Sequence, residues 1–90
     1  MELVRTLPIT HKFGLHFRAS SVFVELAKKF DSEIWISRDG GEEADAKSVF
    51  GVLTLGAEQG HEITLRVKGE DAETAMEELS ALVREDFGGI

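Results

Sequence analysis

The sequence lacks cysteine, long apolar runs and an excess of basic residues, and each absence excludes a class of function. Without cysteine, the chain forms no disulfide, uses no thiolate and binds no metal through sulfur. No apolar run approaches the ~20 residues that cross a bilayer, and Glu2 and Arg5 exclude an ordinary signal peptide. We therefore expect a cytoplasmic protein with no membrane insertion.

The net charge of −7 argues against a nucleic-acid partner, because phosphate contacts need a basic face. Linkers, repeats and low-complexity segments are also missing, so residues 1–90 are predicted to form a single small domain. The three histidines, His11, His16 and His61, lack the spacing of a metal site, and we expect neither a metal nor a cofactor. His11 and His61 are expected at the surface.

Hydrophobic periodicity and turn signals predict an α+β chain with the element order βαββαβα. The predicted strands cover residues 3–9, 33–38, 42–47 and 61–68, and the predicted helices cover 17–30, 48–55 and 72–83. Ser48 and Asp71 are the expected N-caps of the second and third helices, and Trp35 is expected on a sheet face. A four-stranded antiparallel sheet with all helices on one side would bury the apolar helix stripes in a two-layer core.

The segment with the clearest chemistry is 14–20, Gly-Leu-His-Phe-Arg-Ala-Ser, which places His16 between a glycine turn and a helix start. Helix N-termini carry unpaired N–H groups and a partial positive charge, so they bind phosphate. Imidazole is a nucleophile near neutral pH, and Arg18 adds charge-assisted hydrogen bonds to phosphate oxygens. These residues predict a phosphoryl group carried on His16. The plainer alternative is an exposed loop histidine beside a solvated arginine.

Residues 14–20 resemble G-L-H-A-R-P-A, the active-site signature of the HPr family of histidine-containing phosphocarriers in the bacterial phosphotransferase system. Residues 46–56 resemble that family's second segment, around its regulatory serine, and the similarity covers essentially the whole chain. The resemblance implies an open-faced two-layer β-sandwich with three helices packed on one face of the sheet. It also implies that His16 accepts phosphate from phospho-Enzyme I, on Nδ1 in that family, and passes it to an Enzyme IIA domain. Such a carrier has no independent enzymatic turnover.

Two positions depart from the signature, because Phe17 replaces its alanine and Ala19 replaces its proline. Ala19 keeps an N–H that proline lacks and so adds one donor to the site. Phe17 places a bulky ring next to the imidazole, where it contacts a partner or obstructs one. A copy that has lost its relay activity is therefore an open alternative.

Ser48 matches the family's regulatory serine, so the resemblance implies phosphorylation by an HPr kinase/phosphorylase as well as a capping role. A phosphate there adds a charge of about −2 to the docking face. The expected docking residues are Phe17, Ser20, Lys47, Val49, Phe50 and Val52. For two of the three apolar residues at 49–52, a core-facing stripe is at least as consistent with the pattern. The expected protein is a monomer.

The branch of the family and the function class stay open. Residues 9–14, Ile-Thr-His-Lys-Phe-Gly, look closer to the I-T-N-K-L-G pattern of the nitrogen-related NPr type than to the sugar branch. Lys47 and Ser48 instead look like the kinase-regulated type. A regulatory binder that acts through the Ser48 helix without relaying phosphate is the second function class. A ferredoxin-like ligand-binding domain with the same strand order is the third.

Overall fold

The computed structural model describes residues 1–90 and arranges them in the predicted order of strands and helices. The strands are β1 (Glu2–Pro8), β2 (Glu33–Arg38), β3 (Ala44–Asp45) and β4 (Glu62–Lys68). The helices are α1 (Phe17–Ala27), α2 (Val49–Leu53) and α3 (Ala72–Arg84). The sequence patterns do not predict the helical turn Asp86–Gly89 that follows α3.

Two elements are shorter than the sequence predicts. Helix α1 ends at Ala27 rather than Phe30, because the N–H groups of Lys29 and Phe30 bond to carbonyls three residues back and tighten the last turn. Strand β3 has two residues instead of six. Its surroundings, Glu42 to Asp45, are rich in carboxylates, which have low strand propensity.

The four strands form one antiparallel sheet in the order β1-β4-β2-β3. The central strand β4 pairs with β1 through seven residue pairs and with β2 through six. Pro8 ends β1 at the edge of the sheet, the position in a strand where a missing N–H is best tolerated. The sheet thus has one short edge strand and one long one.

One face of the sheet packs against the helices and forms the hydrophobic core. Alternate strand residues point into it, and these core residues are no more than 2% exposed: Leu7, Ile34, Ile36, Ile63, Leu65 and Val67. The helices contribute fully buried side chains, among them Phe23, Val52 and Leu79. On the other face Val4 is 61% exposed, so the sandwich is open-faced. The predicted fold class is confirmed. No helix combines the length and the apolarity needed to cross a bilayer.

The open face of the sheet carries a polar cluster around Arg66. Its guanidinium carbon lies 3.8 Å from the centroid of the Trp35 ring, which confirms Trp35 as a sheet-face residue. The Nε and Nη2 groups of Arg66 donate to Glu43 over 2.7 Å and 2.8 Å. These hydrogen bonds hold the pKa of the Glu43 carboxyl below its usual value. The cluster ties β4 to the segment that precedes β3.

Asp71 precedes α3, yet its carboxylate caps no N–H of that helix. It accepts hydrogen bonds from the N–H groups of Asp31 (2.8 Å) and Ser32 (3.0 Å), and from the Ser32 hydroxyl. The bond from the Ser32 hydroxyl is the main reason that the pKa of Asp71 lies below its usual value. Asp71 is thus the N-cap residue of α3, as predicted, but its carboxylate does not cap the helix. Asp31, 40 positions earlier in the chain, and its neighbour Ser32 bind the carboxylate instead.

The turn after α3 is left-handed over its whole length. Asp86, Phe87, Gly88 and Gly89 have φ values of 53°, 57°, 80° and 84°. This conformation costs an L-residue roughly 1–2 kcal/mol, so tertiary contacts must hold it. Phe87 is 2% exposed, and the Thr10 hydroxyl donates to the Asp86 carboxylate over 2.6 Å. These two contacts fasten the turn to the loop that follows β1.

Candidate functional site

The loop from β1 to α1 is built around Gly14. Its φ of +64°, together with its surroundings, requires glycine: an added Cβ would lie 2.4 Å from the carbonyl oxygen of Ala57. The close approach lets the N–H of Leu15 donate to the same oxygen over 2.8 Å. Leu15 is 3% exposed, so its buried side chain anchors the loop to the core. The chain then enters α1 directly after His16.

His16 is the N-cap of α1. Its backbone is extended, with φ −68° and ψ 177°, and its Nδ1 accepts hydrogen bonds from the N–H groups of Arg18 (3.2 Å) and Ala19 (3.3 Å). The lone pair of Nδ1 thus points at the positive end of the helix dipole. Because Nδ1 is an acceptor, the neutral ring carries its proton on Nε2. That Nε2 atom is buried and has no hydrogen-bond partner.

The cap at His16 places a nucleophilic nitrogen where helix N–H groups bind anions. Ala19 supplies one of the two donors, so the prediction that it adds an N–H to the site is confirmed. Arg18 is exposed on the first turn, and its guanidinium makes no ion pair or hydrogen bond within the chain. The side-chain and backbone groups around Nδ1 can therefore stabilise a bound phosphoryl group through N–H donors and a cation.

Phe13 and Phe17 expose aromatic rings near His16, Phe13 in contact with the imidazole and Phe17 as the next residue in the chain. Phe13 and Phe17 are 64% and 65% exposed, and the Phe13 ring lies edge-on to His16 with centroids 6.1 Å apart. The ammonium of Lys12 lies 5.0 Å from the Phe13 centroid. Helix α2 packs beside α1 and exposes 77% of Phe50. The surface next to His16 is thus apolar with nearby basic groups.

Ser48 is the N-cap of α2, as the sequence predicts. Its hydroxyl accepts a hydrogen bond from the N–H of Gly51 over 3.1 Å. The preceding Lys47 is half-buried, and its ammonium donates to the carbonyl oxygen of Phe30 over 2.7 Å. Val49 is half-buried against the core. Lys47 therefore links the start of α2 to the end of α1.

Two residues expected in the docking surface are buried. Ser20 and Val52 are both 0% exposed, so neither can contact a partner protein, and the sequence-based expectation is corrected here. The Ser20 hydroxyl donates to the carbonyl oxygen of Leu15 over 3.0 Å and closes the first turn of α1. Val52 lies on the core-facing side of α2, whereas Phe50 lies on the exposed side.

His11, expected at the surface, is instead 7% exposed. Its ring centroid lies 5.1 Å from that of His16 and 6.2 Å from that of Phe87. Its Nδ1 accepts a hydrogen bond from the N–H of Phe13 over 3.0 Å, and its Nε2 contacts the carbonyl oxygen of Ile90. The sequence did not predict the burial of His11, because nothing in the turn Asp86–Gly89 indicates that it packs against the β1–α1 loop. His61 is half-buried, and its Nδ1 accepts from the N–H of Glu58.

Comparisons with known proteins show what this chain is similar to. The family model described as the PTS HPr component phosphorylation site matches residues 3–85. The chain is 44% identical over 85 residues to the phosphocarrier protein HPr of Xylella fastidiosa (strain Temecula1), covering 94% of each protein. It is 43% identical over 86 residues to the phosphocarrier protein NPr of Shewanella violacea, covering 96% of this chain and 93% of the relative. The crystal structure of HPr-C-His from Thermoanaerobacter tengcongensis matches with a TM-score of 0.90 at 38% identity, covering 96% of each chain.

Proposed function

Since this chain belongs to the HPr family of phosphotransferase-system phosphocarriers, we propose that residues 1–90 act as a single carrier domain phosphorylated on His16. The observation that carries the proposal is the position of Nδ1, which faces the N–H groups of Arg18 and Ala19. The domain takes a phosphoryl group from phospho-Enzyme I and gives it to an Enzyme IIA domain. It has no turnover of its own, because each cycle only passes the phosphoryl group from one partner protein to the other and returns the domain to its unmodified state.

The transfer to His16 exchanges one bond to phosphorus for another. The Nδ1 lone pair forms a P–N bond while the bond from phosphorus to the donor atom breaks, and the donor keeps that electron pair. The Nε2 proton stays on the ring, so the phosphorylated imidazole is cationic. Protonated imidazole is a good leaving group, which suits a carrier that must release its phosphoryl group to a second protein.

The helix terminus and Arg18 stabilise the charge of the phosphoryl group. When the Nδ1 lone pair enters the P–N bond, the N–H groups of Arg18 and Ala19 lose their acceptor and become available to phosphoryl oxygens. The helix dipole favours the negative charge at this position. The exposed guanidinium of Arg18 adds charge-assisted hydrogen bonds as charge develops in the transition state.

The docking surface for both partners consists of the exposed residues beside His16. Phe17 and Phe50 are the largest exposed rings among the expected docking residues, and aromatic side chains are enriched at the centres of protein interfaces. Val49 and Lys47 border Phe50 at the start of α2. The protein works as a cytoplasmic monomer that presents this surface first to Enzyme I and then to Enzyme IIA.

Phosphorylation of Ser48 by an HPr kinase/phosphorylase regulates this surface. The Ser48 oxygen already faces an N–H of α2, so a phosphate there is compatible with the helix start. Its charge of about −2 would lie two residues from Phe50. It would therefore repel a partner protein whose acidic groups face this surface, and weaken docking. The names of the relatives include both HPr and NPr, so Enzyme I proteins of the sugar and nitrogen branches are both candidate donors.

The test is intact-mass analysis after incubation with phosphoenolpyruvate, magnesium and Enzyme I from each branch. We expect an acid-labile gain of one phosphate in the unaltered protein and in His61→Ala, and none in His16→Ala. Folded protein that stays unmodified with every Enzyme I would favour a regulatory HPr-like binder acting through the Ser48 helix. Modification that persists in His16→Ala would place the phosphate on another residue.

A further inference from the structure

His11 is the one buried histidine of the chain, and its ring contacts the ring of His16. The I-T-N-K-L-G pattern that residues 9–14 resemble has asparagine at this position. An asparagine side chain can accept an N–H two residues ahead, as His11 Nδ1 does from Phe13, but it supplies no ring. The ring of His11 thus forms part of the wall of the site.

The hydrogen bonds of His11 show which role it can have. The N–H of Phe13 donates to Nδ1, so Nδ1 carries no proton and Nε2 donates its own to the carbonyl oxygen of Ile90. Both ring nitrogens are therefore occupied by backbone groups. The His11 ring has no free lone pair or proton to exchange with His16. His11 therefore does not act as a general acid or base toward His16.

The ring of His11 is also fixed from behind. The ring centroid of Phe87, in the left-handed turn, lies 6.2 Å from that of His11. The Thr10–Asp86 hydrogen bond holds that turn against the β1–α1 loop. The ring of His16, by contrast, is held by two long hydrogen bonds of 3.2 Å and 3.3 Å and by its neighbouring rings. A rigid ring beside a loosely held one restricts how the second can rotate.

We propose that His11 is a positioning residue for phosphoryl transfer, which holds the His16 ring with Nδ1 on the N–H groups of α1. The proposal rests on His16 being the phosphorylated residue. It assigns the left-handed turn a function too, since that turn fixes His11. Loss of the His11 ring lets the His16 ring rotate away from the helix, so fewer molecules present Nδ1 in the reactive orientation.

The test compares three variants with the unaltered protein. His11→Ala removes the ring and the acceptor for Phe13, whereas His11→Asn removes the ring and keeps an acceptor. His61→Asn is the matched control, because His61 Nδ1 also accepts a backbone N–H and its ring makes no contact with His16. The readouts are thermal melting, the ¹⁵N NMR signals of the His16 ring and of the Arg18 and Ala19 amides, and the single-turnover rate of phosphorylation by phospho-Enzyme I.

We expect His11→Asn to melt close to the unaltered protein and yet to shift the His16 ring signals and slow phosphorylation. His11→Ala should slow it by about tenfold, less than the roughly 100-fold that a 1 Å misplacement of a reacting group can cost. Unchanged His16 signals and rate in His11→Asn would overturn the proposal, as would an equal loss in His61→Asn. If the unaltered protein takes no phosphate, the proposed function fails, and the NMR comparison alone then decides whether His11 orients His16.

Discussion

The proposed function gives a single lone pair of His16 two purposes. In the unmodified protein the Nδ1 lone pair caps α1, a task that most helices assign to a side-chain oxygen of serine, threonine, aspartate or asparagine. In the phosphoryl transfer that we propose, the same lone pair is the nucleophile. On that proposal, the resting cap keeps the ring in the orientation from which it reacts, and the phosphoryl group inherits the N–H donors that the ring gives up.

This double use leads to a prediction for substitutions at His16. His16→Ala should lower the free energy of unfolding by about 1 kcal/mol, because the helix loses its cap. His16→Asp should be at least as stable as the unaltered protein, since its carboxylate caps the helix and interacts favourably with the dipole. Urea unfolding followed by circular dichroism measures both. Equal stability of His16→Ala and the unaltered protein would show that the ring does not act as a cap.

At the scale of elements, the site depends on how closely two loops approach each other. The β1–α1 loop touches the α2–β4 loop at Gly14 and Ala57, and the hydrogen bond from Leu15 forms across that contact. The position of His16 is thereby set by backbone contact between distant segments and by the buried side chain of Leu15. Helix α1 contributes the N–H groups that face the imidazole, the exposed Arg18 side chain and the Ser20 hydroxyl that binds Leu15.

Gly14→Ala should therefore be far more harmful than an alanine at another glycine with positive φ. We expect it to lower the free energy of unfolding by about 2–4 kcal/mol, from backbone strain together with the clash against Ala57. Gly40→Ala is the matched control, since Gly40 has φ +78° but no atom within 4 Å of an added Cβ. Its cost should be about 1 kcal/mol, from strain alone. Denaturant unfolding tests the difference, and similar losses in the two variants would contradict it.

At the scale of the whole molecule, polar side chains tie together segments that are far apart in sequence. Arg5 of β1 donates to Ser80 and Glu77 of α3 over 3.0 Å and 2.8 Å. Asp71 joins the start of α3 to the connection between α1 and β2. The hydrogen bond from Arg5 lowers the pKa of Glu77, as those from Ser32 and Asp31 lower that of Asp71. These carboxylates stabilise the fold when they are ionised.

Acidic pH should lower the stability of the fold, and protonation of Asp71 should contribute to that loss of stability. A carboxyl with a lowered pKa in the folded state stabilises above its unfolded pKa of about 3.9, and that stabilisation disappears as the pH falls through the folded-state pKa. Asp71→Asn should therefore melt below the unaltered protein near neutral pH. The gap should shrink as the pH drops below about 4. A gap that stays constant over this range, measured by thermal melting, would contradict the prediction.

The order of the elements and the position of His16 follow from local sequence. Alternating apolar residues in 61–68 and the helical stripe in 17–27 indicate which faces are buried, because burial imposes the period of each element on the sequence. Gly14 and Ser48 mark the turn and the cap by the same kind of local rule. Ser20 and Val52 show the limit of such local rules, because both side chains are buried by tertiary packing.

The sequence by itself determined the α+β class, the helix start at His16 and the phosphocarrier family, because each depends on residues close together in the chain. Only the tertiary structure decided the burial of His11, the partners of Asp71 and the left-handed turn over His11. These three features depend on contacts between residues 39 to 79 positions apart. Local patterns do not encode such contacts, because the free energy that selects them comes from packing the whole core.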